Sequence, residues 1–152
     1  KMDLLTPRTL LAPIDFSDLS LHALTMADRI AVERGAQLTV LHVHPIVQTA
    51  FMDLTYTEPP EQMSKAIMEI ESKMAEWCSR LKTPTDKIVQ KTLIGNPVEL
   101  ITQESSDHGL LVISTHGRTG LSHFLMGSVA ERVVRVARCA VLVVKKDTHP
   151  QP

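Results

Sequence analysis

The side chains best suited to chemistry in this chain lie close together, between Ser114 and Ala130. That stretch holds hydroxyl residues (Ser114, Thr115, Thr119, Ser122, Ser128), Arg118, the histidines His116 and His123, and the glycines Gly117, Gly120 and Gly127. It contains no carboxylate. Glycines let backbone amides approach an anion closely, and a helix beginning near Ser128 aims its first N–H groups the same way. A helix terminus alone contributes about 0.3–1 kcal/mol at an exposed site. Hydrogen bonds to a charged group contribute about 1.5–3 kcal/mol each. Several of these with a buried base reach the roughly −8 kcal/mol of micromolar binding. The stretch is neither of the common phosphate loops. G-x-x-x-x-G-K-[ST] is absent, and no G-x-G-x-x-G follows the first strand. On composition alone, an ordinary turn fits as well.

Other candidates are weaker. His42 and His44 share one face of a strand end, but two histidines without a third ligand make a poor metal site. Cys78 and Cys139 have no CxxC spacing, which excludes the usual zinc frameworks and a disulfide scaffold. Cys139 next to Arg138 reads as a buried, inert thiol. Arg132, Arg135 and Arg138 drift around their helix and read as a solvated face.

Composition narrows the function further. The chain has 152 residues, 43% hydrophobic and 22% charged, with a formal net charge of −1. That length favours one domain and needs no disulfide staples. The balanced charge argues against a globally basic nucleic-acid binder. Three Phe, one Tyr and one Trp are too few for a base-stacking platform. Lys1 precedes Met2, the expected native start, and no signal peptide or membrane span is read in the sequence. A cytoplasmic protein without nucleic-acid or membrane partners is expected.

The elements that must position the loop follow from periodicity. Thr9 to Asp15 reads as a buried strand, with Ser17 capping a helix that Gly35 stops. Gln37 to Val43 is the second strand and about Lys87 to Ile94 the third. Between them a long helix, about Glu61 to Leu81, carries an apolar stripe of Met63, Ala66, Ile67, Ile70, Met74, Trp77 and Leu81. That stripe is expected to be core. Asn96 and Pro97 open a short helix. Leu110 to Ser114, a helix from Ser128 to Ala137, and Ala140 to Lys145 complete a βαβαβαβαβ order. Each crossover is helical, so an α/β fold with an open, doubly wound parallel sheet is expected. His44 to Pro60 is too long for an ordinary connection and reads as a lid, a partner contact or a disordered segment.

Gly117, nine further residues, then Gly127-Ser128 resembles the G-x2-G-x9-G-[ST] nucleotide signature of the universal stress protein family. Ala12-Pro13-Ile14-Asp15-Phe16-Ser17 resembles its first strand and turn, and Leu41-His42-Val43 its second strand. The run from Gly127 to Val134 and that from Cys139 to Val144 resemble its last helix and strand. The likeness runs from about Arg8 to Lys146. It implies a single universal stress protein domain over 8–146, with flexible termini at 1–7 and 147–152. The implied fold is a five-stranded parallel sheet in order 3-2-1-4-5, with helices on both faces.

The resemblance further implies a stress-response protein that binds ATP at the carboxyl ends of strands one and four, with Mg2+ held mainly by the phosphates. Pro13, Asp15 and Val43 would hold adenine and ribose. Ser114, Thr115, His116, Gly117, Arg118 and Thr119, with Gly127, Ser128 and Val129, would cradle the phosphates. A homodimer through Ala140 to Lys145 is implied as well, beside an unidentified protein partner. Ser114 stands at the first glycine of the signature, where a side chain hinders backbone approach or adds a hydroxyl. Gly109 and Ala140 also depart from the pattern. With no carboxylate in the loop to hold a metal, slow hydrolysis at best is expected. The alternative is a dimeric interaction module that binds no nucleotide.

Overall fold

The computed structural model describes residues 7–46, 59–116 and 126–145, and the backbone of 49–51 and 54–56. Five parallel strands form the main sheet: β1 (Thr9–Pro13), β2 (Gln37–His44), β5 (Ile88–Ile94), β6 (Leu110–Ser114) and β7 (Ala140–Val144). Their order is β5-β2-β1-β6-β7, which is 3-2-1-4-5 when the sheet strands alone are counted. The helices are α1 (Asp18–Arg34), α2 (Pro60–Cys78), α3 (Pro97–Ser105) and α4 (Ser128–Val136). The expected architecture is the observed one.

Local chemistry sets the helix ends. The Ser17 side chain accepts from the Ser20 N–H to cap α1, and Gly35 closes that helix at φ 61°, in the left-handed region that glycine enters without penalty. Asn96 caps α3 by accepting from the Val98 and Glu99 amides, with Pro97 at the first helical position.

The strands are sandwiched between two apolar layers, as a parallel sheet requires. Leu10, Ala12, Leu38 and Val40 meet Ala23, Leu24 and Ala27 of α1 and Met74 of α2. Leu11, Leu41 and Leu111 meet Val98 and Ile101 of α3 and Val133 of α4 on the other face.

Two findings differ from the sequence expectation. The 44–60 connection contains a small antiparallel hairpin, β3 (Thr49–Phe51) with β4 (Leu54–Tyr56). Three-residue strands are too short for periodicity to reveal them. The apolar stripe of α2 is also not uniformly core. Met74 and Cys78 are buried, and Trp77 and Leu81 pack against them. Met63, Ala66, Ile67 and Ile70 remain half-buried. The helix is anchored at its C-terminal end and overhangs the carboxyl edge of the sheet at the other.

The anchor is partly polar. The buried Asp28 carboxylate of α1 accepts from the Lys82 and Thr83 amides at 2.8–3.1 Å and from the Thr83 hydroxyl at 2.6 Å. This clamp fixes the chain just after α2 against α1.

Candidate functional site

The chain reverses direction across the sheet between β1 and β6, and the two strands part there. Their pairing is limited to Leu10 with Leu110 and Leu11 with Leu111, whereas β1 stays paired with β2 as far as Pro13. Proline has no N–H to continue a ladder. Ile14 instead donates to the Leu41 carbonyl at 2.8 Å. A crevice of about 720 Å³ opens beyond this point, at the carboxyl ends of the strands. Open α/β sheets bind ligands at such switch points, and small-molecule sites span about 300–1,000 Å³.

Nine of the residues singled out from the sequence line this crevice. Pro13 and Asp15 come from β1 and its turn, and Val43 from β2. Ser114, Thr115 and His116 follow β6, and Gly127, Ser128 and Val129 open α4. Residues separated by more than a hundred positions thus face one cavity. Gly117, Arg118 and Thr119 lie outside the described residues.

The β6–α4 side is built around backbone. The Gly127 amide donates to the Thr115 carbonyl at 2.6 Å. A Cβ at Gly127 would stand 3.1 Å from that carbonyl oxygen and 3.5 Å from the His116 Cα, so a side chain here would press the Thr115 carbonyl back by a few tenths of an ångström. Its φ of −58° is open to any residue. Gly127, the N-cap of α4, has no side chain with which to cap it, and Ser128, Val129 and Ala130 of the first turn line the crevice, where the helix dipole favours negative charge.

Ser114 is buried, and its hydroxyl donates to the His116 carbonyl at 3.0 Å. The side chain at this signature position therefore fastens the start of the loop. His116 Nδ1 lies 3.0 Å from the Thr115 hydroxyl, while Nε2 is buried with no hydrogen-bond partner among the described residues. A buried polar atom of this kind calls for a ligand or a water.

The β1–β2 side is built from side chains. Asp15 Oδ1 accepts from the Ser17 amide at 3.0 Å and from the Ser17 hydroxyl at 2.5 Å. Part of the carboxylate's capacity is thus spent on the turn that launches α1. His42 Nδ1 donates to the Ile14 carbonyl at 2.8 Å, since a carbonyl can only accept. Among the described residues no group of three or more His, Cys, Asp or Glu could hold a metal ion. Burial pushes the Cys78 thiol up to about 11 and raises that of Cys139, so both resist forming the reactive thiolate.

Four further lining residues, Ala66, Glu69, Ile70 and Lys73, come from the overhanging half of α2. Phe16 also lines the crevice. Its backbone is left-handed at φ 63°, which is costly for an aromatic residue. Its ring lies 4.9 Å from that of His42 and 5.2 Å, edge-on, from that of Trp77. Sequence reasoning assigned Ala66 and Ile70 to the core. Their helical spacing was the available signal, but it reports a shared face, without saying what covers that face.

The parting at β1/β6, the strand order and the helices on both faces define a doubly wound α/β protein with a crevice at its switch point. The universal stress protein family profile matches residues 7–145, and the chain belongs to that family. Universal stress protein MJ0531 of Methanocaldococcus jannaschii is 33% identical over 145 residues, covering 91% of this chain and 82% of the relative. Universal stress protein YxiE of Bacillus subtilis is 29% identical, covering 90% and 97%. Among solved structures, hypothetical protein MJ0577 superposes with a TM-score of 0.77 at 24% identity, over 95% of this chain and all of that one. A universal stress protein solved in complex with cAMP superposes at 0.64 and 23% identity, over 91% and 97%.

Proposed function

We propose that this universal stress protein, as a single domain over residues 8–146, binds an adenine nucleotide in the β1/β6 crevice. ATP, with Mg2+ carried mainly by its phosphates, is the ligand of choice. The observation that carries this reading is the α4 N-terminus, whose cap Gly127 has no side chain and whose first residues, Ser128, Val129 and Ala130, line the crevice. The orphaned His116 Nε2 and the structural relative bound to cAMP support it.

The first-turn amides of α4 and the 114–119 segment address the phosphates, with His116 Nε2 meeting a phosphate oxygen. Pro13 and Val43 form the apolar seat of the base, and Asp15 accepts from a base or ribose donor. The 114–119 segment offers the Thr119 hydroxyl to a metal but no carboxylate to hold it firmly or to orient a water for attack. Binding or switching with little or no hydrolysis follows, in a cytoplasmic stress response.

Homodimerisation through β7 belongs to the same reading. The strand is one of the two edges of the sheet, Leu142 on it is 37% exposed, and Val134 and Val136 of α4 are exposed as well. An uncovered apolar edge invites pairing with a second chain.

Calorimetric titration with ATP, ADP and AMP in the presence of Mg2+ tests the central claim. Saturable binding at micromolar to tens of micromolar concentration is expected. No heat at millimolar nucleotide would overturn it in favour of an interaction module with an unused crevice, a second reading that the side chain at Ser114 favours. Sedimentation velocity tests the dimer, and Leu142→Lys is expected to convert it to monomer.

A further inference from the structure

We infer that Lys73 of α2 is a specificity-determining residue that selects adenine nucleotides carrying a second anionic group on the ribose. The inference rests on the nucleotide reading above and assigns the end of the crevice that the glycine signature does not reach. Lys73 lines the crevice, and its Nζ stands over the Phe16 ring, 5.1 Å from the centroid. Phe16 follows Asp15, the residue proposed to meet base or ribose, and α2 packs on the sheet face opposite α4, so the ammonium reaches the crevice from the side away from the α4 amides.

Two features show that this cation is placed. Phe16 keeps its ring in position despite a left-handed backbone, wedged between His42 of β2 and Trp77 of α2. A strained conformation persists where its surroundings over-determine it, and such sites cluster at ligand-binding positions. Glu69, one turn earlier on the same helix, also lines the crevice, yet among the described residues no ion pair joins it to Lys73. The ammonium rests on an aromatic face, where its attraction is mild and its hydrogen-bond donors remain available to an incoming anion.

The crevice thus has the first-turn residues of α4 on one side and the Lys73 ammonium on the other, where the carboxylates of Asp15 and Glu69 also line it. A 5′-phosphate directed to α4 leaves the ribose hydroxyls at the Lys73 end. A phosphate on the 2′ or 3′ oxygen would meet the ammonium there, whereas an unsubstituted ribose gives it no charged partner.

The test compares AMP with adenosine 3′,5′-bisphosphate and adenosine 2′,5′-bisphosphate by calorimetry on the full chain. Wild type is expected to bind one of the bisphosphates about three- to tenfold more tightly than AMP, the span set by a partly solvated charge contact. In Lys73→Met that preference collapses to about one, while AMP affinity stays within about twofold. Lys73→Arg keeps the cation and keeps the preference. Equal affinity for AMP and both bisphosphates in wild type overturns the inference, as does a preference that survives in Lys73→Met. Failure of every adenine nucleotide to bind wild type overturns the nucleotide reading itself, and this inference with it. Unchanged thermal melting of both variants excludes a folding artefact.

Discussion

The two sides of the crevice are made of different material. On the β6–α4 side the working groups are amides and carbonyls, packed so closely that one added carbon at Gly127 meets a carbonyl at 3.1 Å. On the α2 side they are side chains on a helix that, among the described residues, is buried at its far end, at Met74, Cys78 and the Asp28 clamp. Backbone groups present the same donors whatever the residue type, so an anion met there would be recognised without regard to the rest of the ligand. Side chains differ in charge and shape, so on the proposed reading discrimination between ligands belongs to α2. The comparison also separates rigidity from exposure within one helix, because α2 is core at one end and crevice at the other.

Four experiments sharpen or break this contrast. The largest effect is expected within α2. Met74, 1% exposed, should cost about 2–4 kcal/mol when cut to alanine, while Ile70→Ala should cost less than about 1 kcal/mol. Chemical denaturation measures both, and equal losses would mean that the whole helix is core. Next, Gly127→Val should lower ATP affinity by about 100-fold, close to 2.7 kcal/mol, because the Thr115 carbonyl and α4 must move apart. Titration checks this, with circular dichroism confirming the fold.

The third experiment reads the anchor through pH. The Cys78 thiol is pushed up to about 11 from 9.0 by burial, so the folded state favours the protonated form. Stability from this group is complete below about pH 9 and falls as pH rises from 9 through about 11, by about 2 kcal/mol. Urea midpoints across that range should drop, and Cys78→Ala should flatten the slope. Smallest is Ser114→Ala, which removes the hydroxyl bond to the His116 carbonyl. It should weaken ATP binding by about fivefold, close to 1 kcal/mol, at an almost unchanged melting temperature.

Much of the molecule is legible in the residues themselves. Ser17, Gly35, Asn96 and Pro97 mark helix ends because capping and left-handed closure depend on one or two local side chains. The strands show as short Val- and Leu-rich runs because both sheet faces are covered. The Gly127-Ser128 step is legible for a similar reason, since close backbone approach favours glycine at that position. The hairpin at 49–56 is not, because two three-residue strands carry too few side chains to display a period. Phe16 and Lys73 are not legible either. Nothing in their local sequence marks a left-handed aromatic residue or a lysine that will rest on its ring.

The residue order alone fixes the elements, their alternation and the glycine- and hydroxyl-rich composition of the segment before α4. These properties arise between neighbours, where spacing and residue type are sufficient. The tertiary structure alone decided that β1 and β6 part after Leu11 and Leu111, and that α2 leaves its first half over the opening. It also decided that Lys73 meets Phe16. Contacts between residues far apart in the chain are fixed by how layers pack and where a ladder ends, and no local pattern encodes that.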